Sequence, residues 1–311
     1  MSKIRPLELQ DFPLIKAYFR RYPPQVSELT FTNLFVWRTS RPIFVADKED
    51  TCVLLADCRE DGCWVFGPPM GKLSSLAAVR SLGMDIKGFT RIPEDTTKTL
   101  RDEGLSIIPD RDNADYVYRV SDLANLAGAK YHKKRNLVKQ CLEKYQCQYE
   151  EITLKNVSEC IEMQDQWCTV RECGREPGLC HEYNAIRDTF TYFELFNLIG
   201  GAIRVNGVIE AYALGEELAP NTAVCHFEKA MPDIQGLSQL INQWFSLRSL
   251  RGFEFVNREQ DLGIPGLRQA KESYYPHHMV EKFTAIMASA GMNGVHRPDP
   301  KECDRHNMGQ E

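Results

Sequence analysis

The segment Phe253–Pro276 reads FEFVNREQDLGIPGLRQAKESYYP and indicates a short strand followed by a polar loop and a helix. The strand is predicted by the β-forming residues Phe253, Phe255 and Val256. Hydrogen-bonding groups and both signs of charge follow at the C-terminal end of the strand, where ligands commonly bind; they are Asn257, Arg258, Glu259, Gln260 and Asp261. The segment therefore predicts a site on an α/β framework, although a solvated turn before a surface helix accounts for the same pattern.

The second half of this segment predicts a short helix with two cations on one face. Gly263 and Gly266 flank Pro265 and mark the turn that precedes the helix. Arg268 and Lys271 are three residues apart, so their side chains point the same way. We expect these two cations to bind a phosphate or a carboxylate.

A strand over 223–230 precedes this segment and adds further candidates. Strict alternation places His226 and Glu228 on one face and Phe227 and Lys229 on the other. We expect Glu228 to act as a base, and we interpret His226 as a hydrogen-bonded, partly buried side chain. Lys229 is a candidate for binding substrate.

The loop between this strand and the next predicted helix contains a glycine, which lets the backbone approach a ligand. The first amides of a helix lack intrahelical partners and favour a phosphate or pyrophosphate. The predicted cofactor-binding residues are Ile234, Gln235, Gly236, Leu237 and Ser238. A single glycine before a helix is also common in turns without a ligand.

A basic cluster stands out against the overall acidic balance of the chain. The protein has 311 residues and a formal net charge of −5, so contact with nucleic acid requires a local patch. Such a patch is predicted on a helix and comprises Lys130, Lys133, Lys134 and Arg135. It suits the phosphates of a nucleic acid, and a solvated connecting helix explains it equally well.

Cysteine usage and hydropathy bound the class of protein. No apolar run approaches the roughly 20 residues that span a bilayer, and we expect a cytoplasmic protein with reduced thiols. Cys168, Cys173, Cys180 and His181 are close in sequence, but their spacing matches no common zinc site. We therefore expect no metal.

Alternating strand and helix patterns predict two α/β units of the α+β class with mixed sheets. The first unit covers residues 1–120 and contains three short strands that form an antiparallel meander. A basic helical connector covers 121–145. The second unit, with the predicted site, covers 146–290, and the polar residues 291–311 are expected to be disordered.

Several of these motifs together resemble the C-terminal domain of phosphatidylglycerol lysyltransferases and their uncharacterised soluble relatives. The motifs are His226–Ala230, Gly236–Leu237, Val256–Gly263, Gly266–Lys271 and Tyr274–Pro276. The resemblance extends from about Glu28 to Pro276. It implies two tandem acetyltransferase-like (GNAT-type) domains and acyl or aminoacyl transfer, with aminoacyl-tRNA as the donor in the lipid-modifying members. Asp233 departs from the usual pyrophosphate-loop pattern, whereas Gly236 and Ser238 fit it, and coenzyme A or acyl-CoA is therefore kept as an alternative donor.

The resulting hypothesis is a cytoplasmic acyl- or aminoacyltransferase that uses an already activated carbonyl. Glu228 or Glu259 accepts the proton of an amine or hydroxyl, Asp261 holds a substrate ammonium, and Tyr274 donates to the leaving group. Asn257 and Arg258 join Lys229, Arg268 and Lys271 as substrate-binding candidates. The acceptor is a small molecule, a peptide or a lipid headgroup. The alternative is a binding or regulatory module that keeps the fold without turnover.

Overall fold

A computed structural model of the protein describes residues 4–59, 62–172 and 177–287. Its helices are α1 (Phe12–Arg21), α2 (Phe31–Val36), α3 (Ser75–Leu82), α4 (Glu94–Asp102), α5 (Val120–Asn125), α6 (His132–Lys144), α7 (Val157–Val170), α8 (Pro177–Thr191), α9 (Leu237–Arg248) and α10 (Pro265–Glu272). Its strands are β1 (Arg5–Pro6), β2 (Ile43–Lys48), β3 (Thr51–Arg59), β4 (Gly62–Phe66), β5 (Met70–Gly71), β6 (Ile86–Pro93), β7 (Ser106–Pro109), β8 (Asp115–Arg119), β9 (Cys147–Glu151), β10 (Ile199–Val205), β11 (Val208–Ala219), β12 (Thr222–Ala230), β13 (Phe255–Asn257), β14 (His278–Val280) and β15 (Lys282–Ile286). The predicted disordered tail lies outside the described residues.

Two sheets of the same topology form the framework. The first has the order β1-β2-β3-β4-β6-β15-β7, with β5 beside β3, and the second has the order β9-β10-β11-β12-β13-β8-β14. In each sheet, four antiparallel strands lead to a fifth that is parallel to the fourth: β6 beside β4, and β13 beside β12. A helix makes each parallel crossover, α3 in the first unit and α9 in the second. The predicted mixed sheets and α+β class are confirmed.

The two units exchange one strand each. β8 follows β7 along the chain but lies in the second sheet, between β13 and β14. β15 follows β14 but lies in the first sheet, between β6 and β7. The domain boundaries drawn from the sequence stay a prediction. β8, from the first predicted unit, pairs in the second sheet, and β15, from the second predicted unit, pairs in the first.

Apolar packing covers both faces of the second sheet. α5, α6 and α9 pack on one face, around Tyr118, Leu240 and Phe245. α1, α2, α7 and α8 pack on the other, in a core that spans both units. The rings of Phe12 and Phe31 lie 5.2 Å apart in that core, and Phe31 lies 5.5 Å from Phe196. Burial of this apolar surface is the main force that joins the units.

A buried charge cluster joins the two exchanged strands. Lys282, the first residue of β15, is fully buried, and its Nζ lies 2.6 Å from Oδ1 of Asp115, the first residue of β8. The same ammonium donates to Glu28, which also lies 2.6 Å from Nε of Arg91. Burial raises the pKa of Glu28, but Lys282, Arg91 and Arg41 outweigh that effect and hold it at about 2. Glu28 therefore stays ionised in the interior, whereas burial raises the pKa of Asp115.

One expectation about cysteines is wrong. Cys58 and Cys63 form a disulfide, although reduced thiols were expected for the chain. The two residues lie on the antiparallel strands β3 and β4, and their Cα atoms are 4.1 Å apart. Hairpin geometry thus brings together two cysteines whose spacing in the sequence gave no such signal.

Replacing Lys282 is expected to destabilise the protein strongly. Lys282→Met leaves Asp115 buried without a paired cation and removes one of the cations beside Glu28, which costs about 3–5 kcal/mol of unfolding free energy. Denaturant unfolding of the variant measures the loss. The matched control is Lys72→Met, because Lys72 pairs with Asp50 on the surface with side chains 62% and 68% exposed; its cost is expected to stay below about 1 kcal/mol. Equal effects of the two substitutions would contradict the role given to the cluster.

Candidate active site

The parallel strands β12 and β13 separate after a short paired stretch. Their register joins Thr222 to Phe255, Ala223 to Val256 and Val224 to Asn257. β13 ends at Asn257, whereas β12 continues to Ala230 and pairs there with β11 alone. A split therefore opens beside the second half of β12, and the polar loop after β13 faces it.

A β-bulge at His226 changes which side chains face each side of the sheet. Leu214 pairs with Phe227 and Gly215 with Cys225, so His226 is the extra residue. A Cβ on Gly215 would lie 2.2 Å from the carbonyl oxygen of Val224, which explains the glycine opposite the bulge. The prediction that His226 and Glu228 share a face is wrong, because the bulge interrupts the alternation between them.

Glu228 and Arg258 form an ion pair across the split. Their atoms Oε1 and Nη2 are 3.0 Å apart, with both side chains less than one-fifth exposed. Asn242 of α9 donates to the other oxygen of Glu228 at 3.0 Å. The Arg258 guanidinium also lies 5.3 Å from the ring centre of Tyr274. A predicted base, a predicted substrate-binding residue and a predicted proton donor thus meet at one place.

Two lysines add positive charge beside Arg258. Lys134 donates to Oγ of Ser273 at 2.8 Å, and its Nζ lies 4.1 Å from the ring centre of Tyr274. Lys271 donates to the carbonyl oxygen of Arg258. Burial, followed by repulsion from Arg258, lowers the pKa of Lys271 to about 8, and the same two causes lower the pKa of Lys134. The split therefore carries an excess of positive charge.

Glu259 ends a buried chain of titratable groups. Its Oε1 lies 2.8 Å from Nδ1 of His226, and Nε2 of His226 lies 3.0 Å from Oε1 of Glu216. Asn33 of α2 also donates to Glu259, at 3.3 Å. Burial lowers the pKa of His226, but its hydrogen bonds to Glu216 and Glu259 outweigh burial and raise it to about 9. The imidazolium form is favoured because both partners accept hydrogen bonds.

Asp261 and Arg268 bind each other. Arg268 donates Nε and Nη2 to the two oxygens of Asp261, each at 2.9 Å. Tyr116 donates to the same carboxylate at 2.6 Å, and Arg111 does so at 3.2 Å. These bonds, led by the Arg268 pair, outweigh burial and lower the pKa of Asp261 well below its usual value. The roles predicted for Asp261 and Arg268 in substrate binding stay predictions, and in this structure the pair anchors the loop to α10.

Asn257 and Lys229 bind partners other than the ion pair of Glu228 and Arg258. Asn257 is fully buried and donates to Asp115 at 3.0 Å, which ties the end of β13 to the Lys282 cluster. Lys229 lies 2.7 Å from Glu182 and 4.1 Å from the ring centre of Trp167, on the α7 and α8 side of the sheet. The substrate-binding roles predicted for both residues stay predictions.

The predicted cofactor loop packs against the connector helix. Gly236 has φ 87°, and a Cβ on it would lie 2.2 Å from the carbonyl oxygen of Leu137 in α6. Ile234 is half-buried and Leu237 is buried, whereas Gln235 and Ser238 are exposed. The glycine thus permits the close approach of α6, and cofactor binding at this loop stays a prediction.

The basic patch divides into exposed and structural cations. Lys130 and Lys133 are exposed, and Lys134 turns toward the split. Arg135 donates to the backbone carbonyls of Leu126 and Gly128, the latter at 2.7 Å, and so fixes the loop after α5. The patch and the split are therefore adjacent, because α6 carries residues of both.

Sequence reasoning missed Glu216 and Lys282. Glu216 directly follows the run Ala211–Gly215 of β11, which has no charged residue, and this position could have indicated a buried carboxylate. Lys282 has only its neighbour Glu281 as a local signal, and its partners are distant in sequence. Neither residue belongs to the segment in which charge is dense.

Neither a helix that could span a membrane nor a cluster of metal ligands occurs among the described residues. None of the described helices is long and apolar enough to cross a membrane. Residues 4–59, 62–172 and 177–287 contain no cluster of three or more potential metal ligands. Cys173, one of the four residues that the sequence analysis considered as zinc ligands, lies outside these ranges.

Two mixed sheets of like topology, the second of them split between the parallel strands β12 and β13, define a tandem GNAT-like fold, as the resemblance implied. The chain belongs to the family described as phosphatidylglycerol lysyltransferase, C-terminal, whose model matches residues 19–286. By this description the family is one of transferases. The resemblance drawn from the sequence motifs is thus confirmed.

Solved structures agree with this assignment. A conserved protein of unknown function from Bacteroides thetaiotaomicron is 30% identical, with a TM-score of 0.85 over 93% of this chain and 100% of that chain. The C-terminal domain of a putative lysylphosphatidylglycerol synthetase from Agrobacterium fabrum has 14% identity and a TM-score of 0.64, covering 90% of this chain and 93% of that one. L-PGS from Bacillus licheniformis has 14% identity and a TM-score of 0.59, covering 88% and 91%. No curated protein matches the sequence.

Protonated His226 is expected to make stability depend on pH. Because the pKa of His226 rises from 6.5 to about 9 on folding, its contribution is complete below pH 6.5 and disappears as the pH rises through 9, a loss of roughly 3 kcal/mol. Unfolding free energies of the native protein and of His226→Gln, measured from pH 6 to pH 10, test this. The difference between the two curves isolates His226 from Lys271, whose lowered pKa acts in the opposite direction. A difference that does not change with pH would contradict the assignment.

Proposed function

We propose that the protein transfers an activated acyl or aminoacyl group to an amine or hydroxyl acceptor at the split between β12 and β13. One observation carries the proposal: Glu228, Arg258, Tyr274 and Lys134 converge there, and Glu259 approaches from the loop after β13. An ester or thioester donor is already activated, so positioning and proton transfer suffice for the reaction. The membership of a transferase family supports this reaction class.

Glu228 and Glu259 are the proposed bases, and their surroundings suggest a division of roles. Glu228 pairs with Arg258 and accepts from Asn242, so its charge is held at a fixed position beside the split. Glu259 accepts a hydrogen bond from protonated His226, which also donates to Glu216, so its carboxylate is held in a fixed orientation. Tyr274, with its ring near Arg258 and Lys134, is the proposed donor to the leaving oxygen or sulfur.

We favour aminoacyl-tRNA over acyl-CoA as the donor. α6 occupies the space beside Gly236 where a pyrophosphate would approach the start of α9. The same helix and the turn before it carry Lys130 and Lys133, which are exposed beside the split. An RNA backbone can use those cations from outside, whereas coenzyme A would require α6 to move. The acceptor is a small molecule, a peptide or a lipid headgroup, in the cytoplasm.

A second candidate is a binding or regulatory module without turnover. It is favoured by the ion pairs themselves, because Arg258 and His226 already neutralise the two proposed bases. Such a module would keep its affinity for RNA or another anion after the carboxylates are removed.

Removal of the proposed bases is expected to abolish transfer. Glu228→Gln and Glu259→Gln should each lower the transfer rate by about 10²-fold or more, because each removes a proton acceptor. The measurement follows radiolabel from charged tRNA into the small molecules, peptides and lipids of a tRNA-depleted extract. Exposed Glu143→Gln on α6 is the matched control. Transfer by neither the native protein nor any variant, with RNA binding intact, would favour the binding module.

Binding of tRNA is expected to depend on salt and on the exposed lysines. Lys130→Glu with Lys133→Glu should weaken binding by at least about tenfold and make its dependence on salt less steep, because fewer counterions are released. Filter binding at several salt concentrations measures both effects. The control is Lys98→Glu, because Lys98 is exposed on α4 of the first unit and lies outside the basic patch. Stabilisation by coenzyme A, together with unchanged tRNA binding in the double variant, would overturn the choice of donor.

A further inference from the structure

A cavity of about 280 Å³ lies between α1, the residues at the start of α2 and the end of β11. It is separate from the polar loop after β13 and contains none of the residues that the sequence nominated. Its floor is formed by buried side chains, among them Leu29, Phe31 and Leu218. Its mouth is marked by exposed residues, including Arg20 and Glu217. The cavity therefore extends from the surface to the core between the two units.

Four phenylalanines contribute to its apolar wall. Phe12 and Phe19 come from α1, Phe31 from α2, and Phe253 from the turn before β13. The Phe12 and Phe31 rings are 5.2 Å apart and held edge to face. A wall of this kind suits a flat or branched apolar group.

Two unpaired cations lie on the α1 side. Lys16 and Arg20 are four residues apart on the helix, so they point the same way. Neither side chain forms an ion pair or a hydrogen bond within the described residues, and Nζ of Lys16 lies 5.0 Å from the ring centre of Phe12. These two cations can bind a carboxylate at the cavity.

A buried carboxylate lies on the opposite side. Glu216 is only 8% exposed and lines the cavity, while its Oε1 is bonded to His226. Its other oxygen, Oε2, has no hydrogen-bond partner among the described residues. Because Glu216 lines the cavity, this oxygen can accept a hydrogen bond from a ligand there.

We propose that this cavity binds a free α-amino acid with a large apolar side chain, such as phenylalanine or leucine. The ammonium binds Glu216, the carboxylate binds Lys16 and Arg20, and the side chain packs against the phenylalanine rings. The volume is near the lower end of the range of about 300–1,000 Å³ for ligand sites, which suits a molecule of this size. The ammonium, the carboxylate and the side chain of the ligand thus each contact a different group of the cavity wall.

Other ligand classes leave part of the wall unmatched. A simple anion leaves Oε2 of Glu216 without a donor, and a simple amine leaves Lys16 and Arg20 without a counterion. An amino acid with a cationic side chain brings a third positive charge near Lys16 and Arg20, which repel it. The proposal goes beyond transfer at the split and requires neither tRNA nor turnover.

Calorimetric titration of the full chain tests the proposal. L-Phenylalanine and L-leucine are expected to bind, whereas 3-phenylpropionate, phenethylamine and L-lysine are each expected to bind at least about tenfold more weakly, as the loss of a charged hydrogen bond predicts. Lys16→Met with Arg20→Met should weaken binding of L-phenylalanine by at least about tenfold, and so should Glu216→Gln. Lys98→Met is the control for the loss of an exposed cation, and this variant should bind L-phenylalanine as tightly as the native protein does.

Three results would overturn the proposal: no binding of L-phenylalanine or L-leucine, equal binding of L-lysine, or unchanged affinity in both cavity variants. Thermal unfolding of each variant distinguishes a lost site from a lost fold, and Phe253→Leu, which keeps the cavity apolar, should retain binding of L-leucine. Failure of this test leaves transfer from charged tRNA unaffected, and failure of transfer leaves amino acid binding unaffected, so the two proposals are judged separately.

Discussion

The ion pair between Lys282 and Asp115 is the contact on which the arrangement of the two units depends. Each residue begins a strand that the chain has passed to the opposite sheet, and the pair is fully buried. Asp115 also accepts from Asn257, at the end of β13. The position from which the polar loop departs into the split is thus fixed by a charge at the junction of both sheets. Buried ion pairs gain little net energy over apolar packing, and they specify geometry when every member has a partner.

The split and the bulge give the second sheet its chemistry. Separation of β12 from β13 leaves side chains of β12 without a neighbouring strand, and polar groups from the loop fill that place. The bulge then directs His226 and Glu228 toward different partners, Glu216 with Glu259 in one case and Arg258 with Asn242 in the other. Two charged systems therefore lie next to each other along one strand without sharing a residue.

Much of this could be predicted from the sequence, because strand periodicity and dense charge are local signals. The meander of β2, β3 and β4, the crossover helix α9 and the polar segment Asn257–Asp261 follow from patterns within a few residues. The bulge at His226 could not, because it depends on the register between strands. The pairing of Asp261 with Arg268 also escaped prediction, since opposite charges seven residues apart can bind either each other or a ligand. Lys282 was invisible because its partners lie 167 and 254 positions away.

The duplicated topology was hidden for a related reason. The two sheets share an order of strands, yet the sequence has no obvious internal repeat, so the likeness resides in hydrogen-bonding pattern alone. Close contacts that require glycine fall on different strands of the two sheets: a Cβ on Gly88 of β6 would lie 2.0 Å from the carbonyl oxygen of Ala285 on β15, and one on Gly215 of β11 would lie 2.2 Å from that of Val224 on β12. Shared architecture has been kept while the local packing diverged.

The reciprocal exchange of β8 and β15 has a consequence for assembly. Neither half of the chain can complete its own sheet, so a separated half would expose backbone amides and carbonyls where the missing strand belongs. The final strand is synthesised last, and the first sheet must wait for it with β6 and β7 unjoined. At high concentration during refolding, β15 of one molecule can fill that gap in another, which makes an intertwined dimer the characteristic misassembled form of this architecture.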